Sequence, residues 1–580
     1  MYMESTMKYY EVRQMESLKD LIDQNANLYG GNTAFLVKDE KGGQYREITY
    51  KQFKEDIDAL GTKLLEMGLK DSKIAIMGEN CYQWIVAYYA VVNGTGIAVP
   101  LDKELNQEEI HNLLKTADCQ AVFFTDGYVE YFKDETIEYK IEMTAYENNF
   151  KPSGDLIQWK DLLKEGYSLI EQGDLTFING IIDPFEMKMI LFTSGTTDIA
   201  KGVMLCHNNI LANILDTSSI VKIKPSDRTL SILPIHHTFE STMGIGVILY
   251  AGGSVAFCEG LKHIAKNMAE AQATVLVGVP LIFESIYDKI WKQAEKTGKA
   301  KVLRKIITLN NNTNRLGIDM SRVLFKSIYK KFGGKLRMLV SGAAAIDLNV
   351  CRGFEDLGIK VLQGYGLTET APLISGTPDF SDTYRKAGSV GLPVKSGIVQ
   401  IVDKDEDQIG EILFSGPNVM MGYYNLPDKT AEVLKDGWFH TGDLGFLDDE
   451  GWLYITGRKK NVIVTKTGKN IYPEEVEYYV NLSKYIQESL VHGIEDDREE
   501  TLVGVQVRPD YDVIYEEFGE NVDEGQIQAL IKKAIGEINE RLPIYKRIRN
   551  ISVRKDEFIK TTTKKIKRFQ NIYEQKTKGE

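Results

Sequence analysis

The chain reads as an α/β protein: a large N-terminal domain of parallel sheets covered by helices, a β-rich subdomain at the end of that domain, and a small α+β C-terminal domain. Three observations lead there. Short strand signals alternate with helical ones through much of the 580 residues, the mark of β-α-β units. Glycine-punctuated short strands take over from about 388 to 456. The final stretch of roughly 120 residues has strands and a helix of its own, enough for a small separate domain. A chain of this length also exceeds one ordinary core.

In chain order, Lys73 to Met77 predicts a buried strand, Asn80 to Asn93 a helix, and Gly96 to Val99 the next strand. Asn106 can cap the following helix. Glu109 stands where a capping box closes, and Ile110, Leu113, Leu114 and Ala117 fall on one face. Ala121 to Phe124 supplies another strand. The alternation recurs at Leu230 to Leu233, Ser254 to Phe257 and Thr274 to Val277, each followed by a helical segment. Glu411 to Phe414 and Trp452 to Ile455 are strands of the β-rich subdomain. The short charged segment 457–460 separates an N-terminal domain, 1–456, from a C-terminal one, 461–580. The latter carries a strand at Leu502 to Val507 and a helix from about Glu524 to Arg541.

Composition narrows the functional class. With 43% hydrophobic and 26% charged residues the balance is globular, and a formal net charge of -13 argues against a general nucleic-acid partner. Between 544 and 568, however, ten Lys or Arg face only Asp556 and Glu557. That patch suits polyphosphate, a carrier protein or an anionic membrane surface, or it is a solvated basic tail. Five scattered cysteines with no C-x-x-C pair imply reduced thiols and a cytoplasmic protein. The start lacks a secretory pattern, and the apolar runs are too short to cross a bilayer, so membrane contact is expected to be peripheral at most.

The most informative stretch is Thr193-Ser194-Gly195-Thr196-Thr197-Asp198-Ile199-Ala200-Lys201-Gly202, a hydroxyl-rich turn after the apolar run Met189 to Phe192. Four hydroxyls, flexible backbone and one lysine suit a nucleotide triphosphate. It is not a Walker loop, because Lys201 lacks the preceding glycine and the following Ser or Thr. Further motifs follow in order: Leu233-Pro234-Ile235-His236-His237-Thr238-Phe239-Glu240, Gln363-Gly364-Tyr365-Gly366-Leu367-Thr368-Glu369-Thr370, Thr441-Gly442-Asp443, Gly457-Arg458-Lys459-Lys460, and Lys560-Thr561-Thr562-Thr563-Lys564-Lys565-Ile566.

This succession resembles the acyl-adenylate-forming superfamily of AMP-forming ligases. It looks like the long-chain fatty acid–CoA ligase type, since a helical stretch from about Leu281 to Phe332 leads into Gly333 to Arg337 and Ser341 to Ala344. The resemblance implies ATP, Mg2+ and CoA as reactants or cofactors, a fatty acid as substrate, and a C-terminal domain that swivels about Lys460. The chemistry fits such residues. A carboxylate cannot lose its oxygen until that oxygen is tied to phosphate, and both steps develop charge that placed cations and donors can stabilise.

By resemblance, Thr193, Ser194, Gly195, Thr196, Thr197 and Lys201 take the pyrophosphoryl end of ATP, with Thr196 also near the metal. Gly364, Tyr365, Gly366 and Thr368 take the nucleotide, and Glu369 holds magnesium. Asp443 accepts both ribose hydroxyls, and Arg458 adds a second ribose or phosphate contact. His237 lies near the carboxylate and the thiol path, although His236 leaves that assignment open by one residue. Lys565 bridges carboxylate and α-phosphate, with Lys564 as a competitor. Gly468 lines the pantetheine passage. His237 to Met243, Ser341 to Ala344 and Gln363 to Gly364 are the implied acyl-pocket walls. The chain departs from the family pattern at Asp198, Ala200, Ile559 and Lys564. Two other functions stay open: an acyl- or aminoacyl-adenylating enzyme that loads a carrier protein, with Glu240 able to meet a substrate amine, and an inactive nucleotide-binding relative.

Overall fold

The computed structural model describes all residues except 1–8, 134, 150, 152, 154–155, 194–199, 466–468, 496–500, 562–564 and 573–580. Contacts divide the chain into two units, one of residues 1–398 and 414–439, the other of 399–413 and 440–580.

The first unit holds two sheets. One has eight strands, in the order Gly422–Tyr423, β2 (Lys201–Cys206), β1 (Met187–Thr193), Gly96–Leu101, Ser72–Met77, Ala121–Thr125, Tyr139–Met143 and Ile157–Gln158. Its middle is parallel, as the β-α-β pattern predicts. β1 and β2 instead pair antiparallel, and the hydroxyl-rich segment connects them in sequence. The predicted capping box is present: Asn106 Oδ1 accepts from the Glu109 N–H and Glu109 Oε2 from the Asn106 N–H, both at 2.9 Å. It starts the helix Gln107–Ala117. The helix predicted over 80–93 is shorter, Tyr82–Ala90, and passes into a π-turn, Val91–Thr95.

The other sheet has nine strands, in the order Leu392–Pro393, Leu373–Gly376, β5 (Lys360–Gly366), β4 (Met338–Ser341), β3 (Val275–Gly278), Arg228–Ser231, Ser254–Phe257, Thr33–Lys38 and Tyr45–Thr49. It is parallel from β5 to Thr33–Lys38 and antiparallel at both edges. Its outer core is built on large apolar side chains: Phe283, Phe354, Phe325 and Leu339 are each no more than 1% exposed. Truncating one such phenylalanine to alanine costs ~3–5 kcal/mol.

In the second unit, strands β6 (Trp438–Leu447) and β7 (Leu453–Arg458) pair antiparallel and place Asp443 opposite Arg458. A three-stranded sheet, Ile486–Glu495, Thr501–Pro509 and Ile548–Val553, follows. The helix predicted near 524–541 runs Glu524–Arg541, and its Ile527, Ile531 and Ile535 bury with Val503, Val505 and Val507 of the sheet. The spacing of four along the helix meets the spacing of two along the strand, which closes this core.

Candidate active site

The site residues fall into two groups, one in each unit. In the first unit, β1 ends at Thr193, which pairs across the hairpin with Lys201. Thr193 Oγ1 donates to the Lys201 carbonyl at 3.3 Å, which ties off the base of the loop. Ser194, Gly195, Thr196 and Thr197, with the departure Asp198, lie outside the described residues. Ala200 is described and packs with Ile190 and Phe192 in an apolar cluster.

The Lys201 ammonium sits 4.9 Å from the centre of the Tyr423 ring. The Tyr423 hydroxyl donates to Glu369 Oε1 at 2.9 Å. One buried ring thus holds the loop lysine over its face and the predicted metal-binding carboxylate at its tip. A cation over a tyrosine is worth ~0.5–1 kcal/mol or more when desolvated. The Glu369 carboxylate keeps acceptor capacity beyond that one bond, so the donor set suits a hard cation between carboxylate and phosphate oxygens.

Glu369 stands on a single turn, Thr368–Thr370, held by two asparagines from distant parts of the chain. Asn213 donates to the Thr370 carbonyl and accepts from the Leu373 N–H. Asn418 donates to the carbonyls of Thr370 and Leu373. Both asparagines are completely buried. Asn209, one helical turn before Asn213 on the helix His207–Ile220, holds the carbonyls of Pro417 and Val419. The Met420 N–H reaches the Glu369 carbonyl at 2.8 Å. Gly366 precedes this turn where the backbones nearly touch: a β-carbon there would lie 1.7 Å from the Pro372 oxygen. Gly364, Tyr365 and Gly366 lie on β5, opposite Gly376, Ser375 and Leu373.

An apolar recess begins at the same strand. Ile220, Val221, Met243, Val277, Met338 and Val340 are among its walls, and it reaches Gln363 and Gly364, directly before Tyr365. It encloses about 570 Å³, part of it open to solvent. Phe239 and Met243 of the expected acyl walls line it, whereas Ser341 to Ala344 are not among the lining residues. Gly342 backs onto the Phe239 ring, where a β-carbon would come within 2.7 Å.

The two adjacent histidines separate cleanly. His236 is 8% exposed, with Nε2 3.6 Å from Asp102 Oδ2. Burial first, then His237 and Lys103, push its pKa well below the usual imidazole range, so it stays neutral. His237 is half-buried, which leaves its ring the more accessible of the two. Glu240 is 1% exposed, and burial raises its carboxyl to about 8. A neutral buried acid is poorly suited to meet a substrate amine.

In the second unit, Arg458 Nε lies 2.7 Å from Asp443 Oδ1. Asp443 is buried, and its N–H donates to Thr441 Oγ1, whose hydroxyl donates to the Ile412 carbonyl. Lys565 joins them electrostatically. Desolvation by surrounding protein and the like charge of Arg458 lower its pKa, while Asp443 opposes that. The residue is nonetheless exposed by area, so this ammonium is crowded by protein but still reached by water. Its backbone is tied to the strand-like segment before it: the Thr561 N–H donates to the Lys565 carbonyl, the Lys565 N–H donates to Thr561 Oγ1, and Lys560 bridges to Ile566. Lys564 and Gly468 lie outside the described residues.

The sequence pattern of AMP-binding enzymes matches residues 22–424. The chain belongs to the AMP-binding enzyme family. A rat (Rattus norvegicus) relative named long-chain-fatty-acid–CoA ligase 5 is 32% identical over 494 residues, covering 80% of this chain and 71% of the relative. The Escherichia coli long-chain-fatty-acid–CoA ligase is 26% identical over 83% of each chain. Among solved structures, ATP-bound MatB from Rhodopseudomonas palustris shares the fold, with a TM-score of 0.73, 23% identity, and coverage of 97% of this chain and 99% of that one. Within this AMP-binding enzyme, Tyr423, Asn213 and Asn418 are the site residues the sequence motifs miss. Each acts across more than forty positions, and no local pattern marks such a partner.

Proposed function

We propose that this chain is a long-chain fatty acid–CoA ligase that works through an acyl-adenylate. The fatty acid carboxylate oxygen attacks the α-phosphorus of ATP, the bond to the bridging oxygen breaks, and pyrophosphate leaves. The CoA thiol then loses its proton and attacks the acyl carbonyl, and AMP departs with the oxygen the carboxylate gave up. The observation that carries the reading is the apolar recess ending at Gln363 and Gly364, the first two residues of the motif that bears Tyr365 and Glu369. A hydrocarbon chain lodged there brings its carboxylate to the nucleotide motif, and placement of the reactants supplies much of the rate.

Thr193 and Lys201, with residues 194–197, hold the β- and γ-phosphates, and Tyr365 stacks on adenine beside Thr368. Glu369 would hold magnesium, which offsets phosphate charge when bound. Asp443 takes the ribose hydroxyls, with Arg458 orienting it through the 2.7 Å contact. Lys565 stabilises the charge that builds as carboxylate and α-phosphate converge, and its crowded, partly desolvated setting strengthens that interaction. His237 orients the carboxylate, Gly468 gives the thiol arm close access to backbone, and residues 457–460 act as the hinge between steps. We place the reaction in the cytoplasm. Neutral, buried Glu240 and the CoA ligase names of the relatives favour CoA over aminoacyl loading of a carrier protein.

The test supplies ATP, Mg2+ and unbranched acids of graded length, measuring pyrophosphate without CoA and acyl-CoA by mass with it. Pyrophosphate release with long acids and a new thioester only with CoA are expected. Silence with every acid refutes the assignment.

A further inference from the structure

The connection between the neighbouring strands β3 and β4 carries a surface that departs from the acidic balance of the chain. It consists of the helices Pro280–Lys296, α1 (Ala300–Arg315), Ser321–Leu324 and Lys326–Lys331. Its inner side is ordinary: Phe283, Leu303, Phe325, Tyr329 and Phe332 bury in the core of the nine-stranded sheet. The outer side is not. Val302, Leu309, Leu316, Ile318 and Val323 are 53%, 49%, 77%, 54% and 72% exposed. Val302 and Leu309 are seven residues apart, which sets them on one side of α1, and Leu316 follows seven further on at the residue that ends the helix.

Charge reinforces the contrast. From 299 to 335 the chain has ten Lys or Arg and a single acid, Asp319, whereas the whole chain has a net charge of -13. Arg304 lies 5.5 Å from the centre of the Trp291 ring, and Arg322 lies 4.3 Å from that of Tyr329. The lysines differ: among the described residues no carboxylate forms an ion pair with Lys299, Lys301, Lys305, Lys326, Lys330 or Lys331. Large apolar side chains set among unpaired lysines match the interface of a bilayer, where each side chain finds its own medium. A nucleic acid would use the lysines and leave the apolar row in water.

We infer that residues 299–335 form a peripheral docking surface for an anionic phospholipid bilayer. The strands at its two ends supply Val275, Val277, Met338 and Val340 to the apolar recess, so docking places the recess near the phase where long-chain acids dissolve. This last link rests on the proposed ligase function, whereas the docking itself does not. Attraction grows by ~1 kcal/mol per basic residue near an anionic surface and weakens with salt. No helix of the described residues is long and apolar enough to cross the membrane.

The experiment sediments the full chain with phosphatidylcholine vesicles, with and without phosphatidylglycerol. Binding only to the anionic vesicles, falling as salt rises, is expected. The triple variant Val302→Glu, Leu316→Glu, Val323→Glu lowers the bound fraction about tenfold with unchanged Tm. Should that variant misfold, Lys301→Glu, Lys305→Glu, Lys331→Glu produces the same loss. Equal binding to neutral vesicles, full binding by both triple variants, loss on Arg549→Gln with Lys567→Gln instead, or capture by polyuridylic acid but not vesicles overturns the proposal. Because binding is read without turnover, a failed ligase assay leaves this outcome separate.

Discussion

The two groups of site residues are built by opposite means. In the first unit, charge is held indirectly: Lys201 and Glu369 share the Tyr423 ring, and the turn under Glu369 is fixed by the fully buried Asn213 and Asn418. In the second, charges meet one another directly, Arg458 on Asp443 with Lys565 close by, and the lysine stands exposed beside the Lys560–Ile566 bridge. A turn clamped by two fully buried asparagines is held firmly and suits the binding of a fixed ligand. An exposed cation crowded by charge suits a group that acts at one stage and withdraws at another. Under the proposed roles, the contrast teaches that nucleotide binding and the adenylation step would draw on separately stabilised parts.

The strongest way to break that contrast is Lys565→Ala. Pyrophosphate release should fall about 10³-fold, or ~4 kcal/mol, while thioester formation from supplied acyl-AMP stays within a fewfold. Equal loss in both half-reactions would merge the two groups into one. Lys564→Ala should leave both half-reactions near the parent rate, and a large adenylation defect would move the role by one residue. Because the charged ammonium is the active form and its pKa lies below the ordinary lysine value, the adenylation rate should decline with rising pH before an unperturbed lysine would titrate. Next in size is Glu369→Gln, which removes the hard anionic oxygen. Roughly a 10²-fold fall at low Mg2+, partly recovered at high Mg2+, is expected from a magnesium titration of pyrophosphate release. A fall of the same size at every concentration would separate Glu369 from the metal.

Glu240 sharpens the point that the first unit relies on burial. Its folded carboxyl titrates at about 8 against 4.5 for an unperturbed glutamate. The unfolded chain therefore gives up this proton first as pH rises. The folded state loses stability between those values, by at most ~1.4 kcal/mol per pH unit, and keeps it below 4.5. Glu240→Gln should flatten this decline, so the two Tm profiles, close near pH 5, separate toward pH 8 in favour of the variant. Parallel profiles would mean that the carboxyl ionises in the folded state.

Much of the fold is legible because its signals are local. Apolar runs such as Ala121 to Phe124 and the Asn106–Glu109 capping pair each lie within a few residues, so the sequence reveals both strand and helix start. The antiparallel β1–β2 hairpin is not legible that way, since two apolar runs look the same whichever way they pair. For the site, the motifs point to Lys201, Glu369, Asp443 and Lys565 because each is embedded in a recognisable string. Tyr423 and the asparagine clamps escape because their meaning depends on partners forty or more positions away. The choice between His236 and His237 needs burial, which adjacent identical residues cannot disclose.

The finest test of the contrast is Tyr423→Phe. The ring stays, so the cation contact with Lys201 at 4.9 Å is kept, while the 2.9 Å bond to Glu369 Oε1 is lost. A hydrogen bond to a charged acceptor contributes ~1.5–3 kcal/mol when buried and less where water can replace it, and this carboxylate is only half-buried. A change at or below the lower end of that range, about 3- to 10-fold in KM for ATP, is expected, with Tm nearly unchanged because Asn213 and Asn418 still hold the turn. Tyr423→Leu also removes the ring face, so its additional loss measures the hold on Lys201. If phenylalanine and leucine weaken ATP equally, the ring contributes no cation contact and the first group reduces to the hydroxyl bond. If phenylalanine is silent and leucine is not, Glu369 is placed by its turn alone.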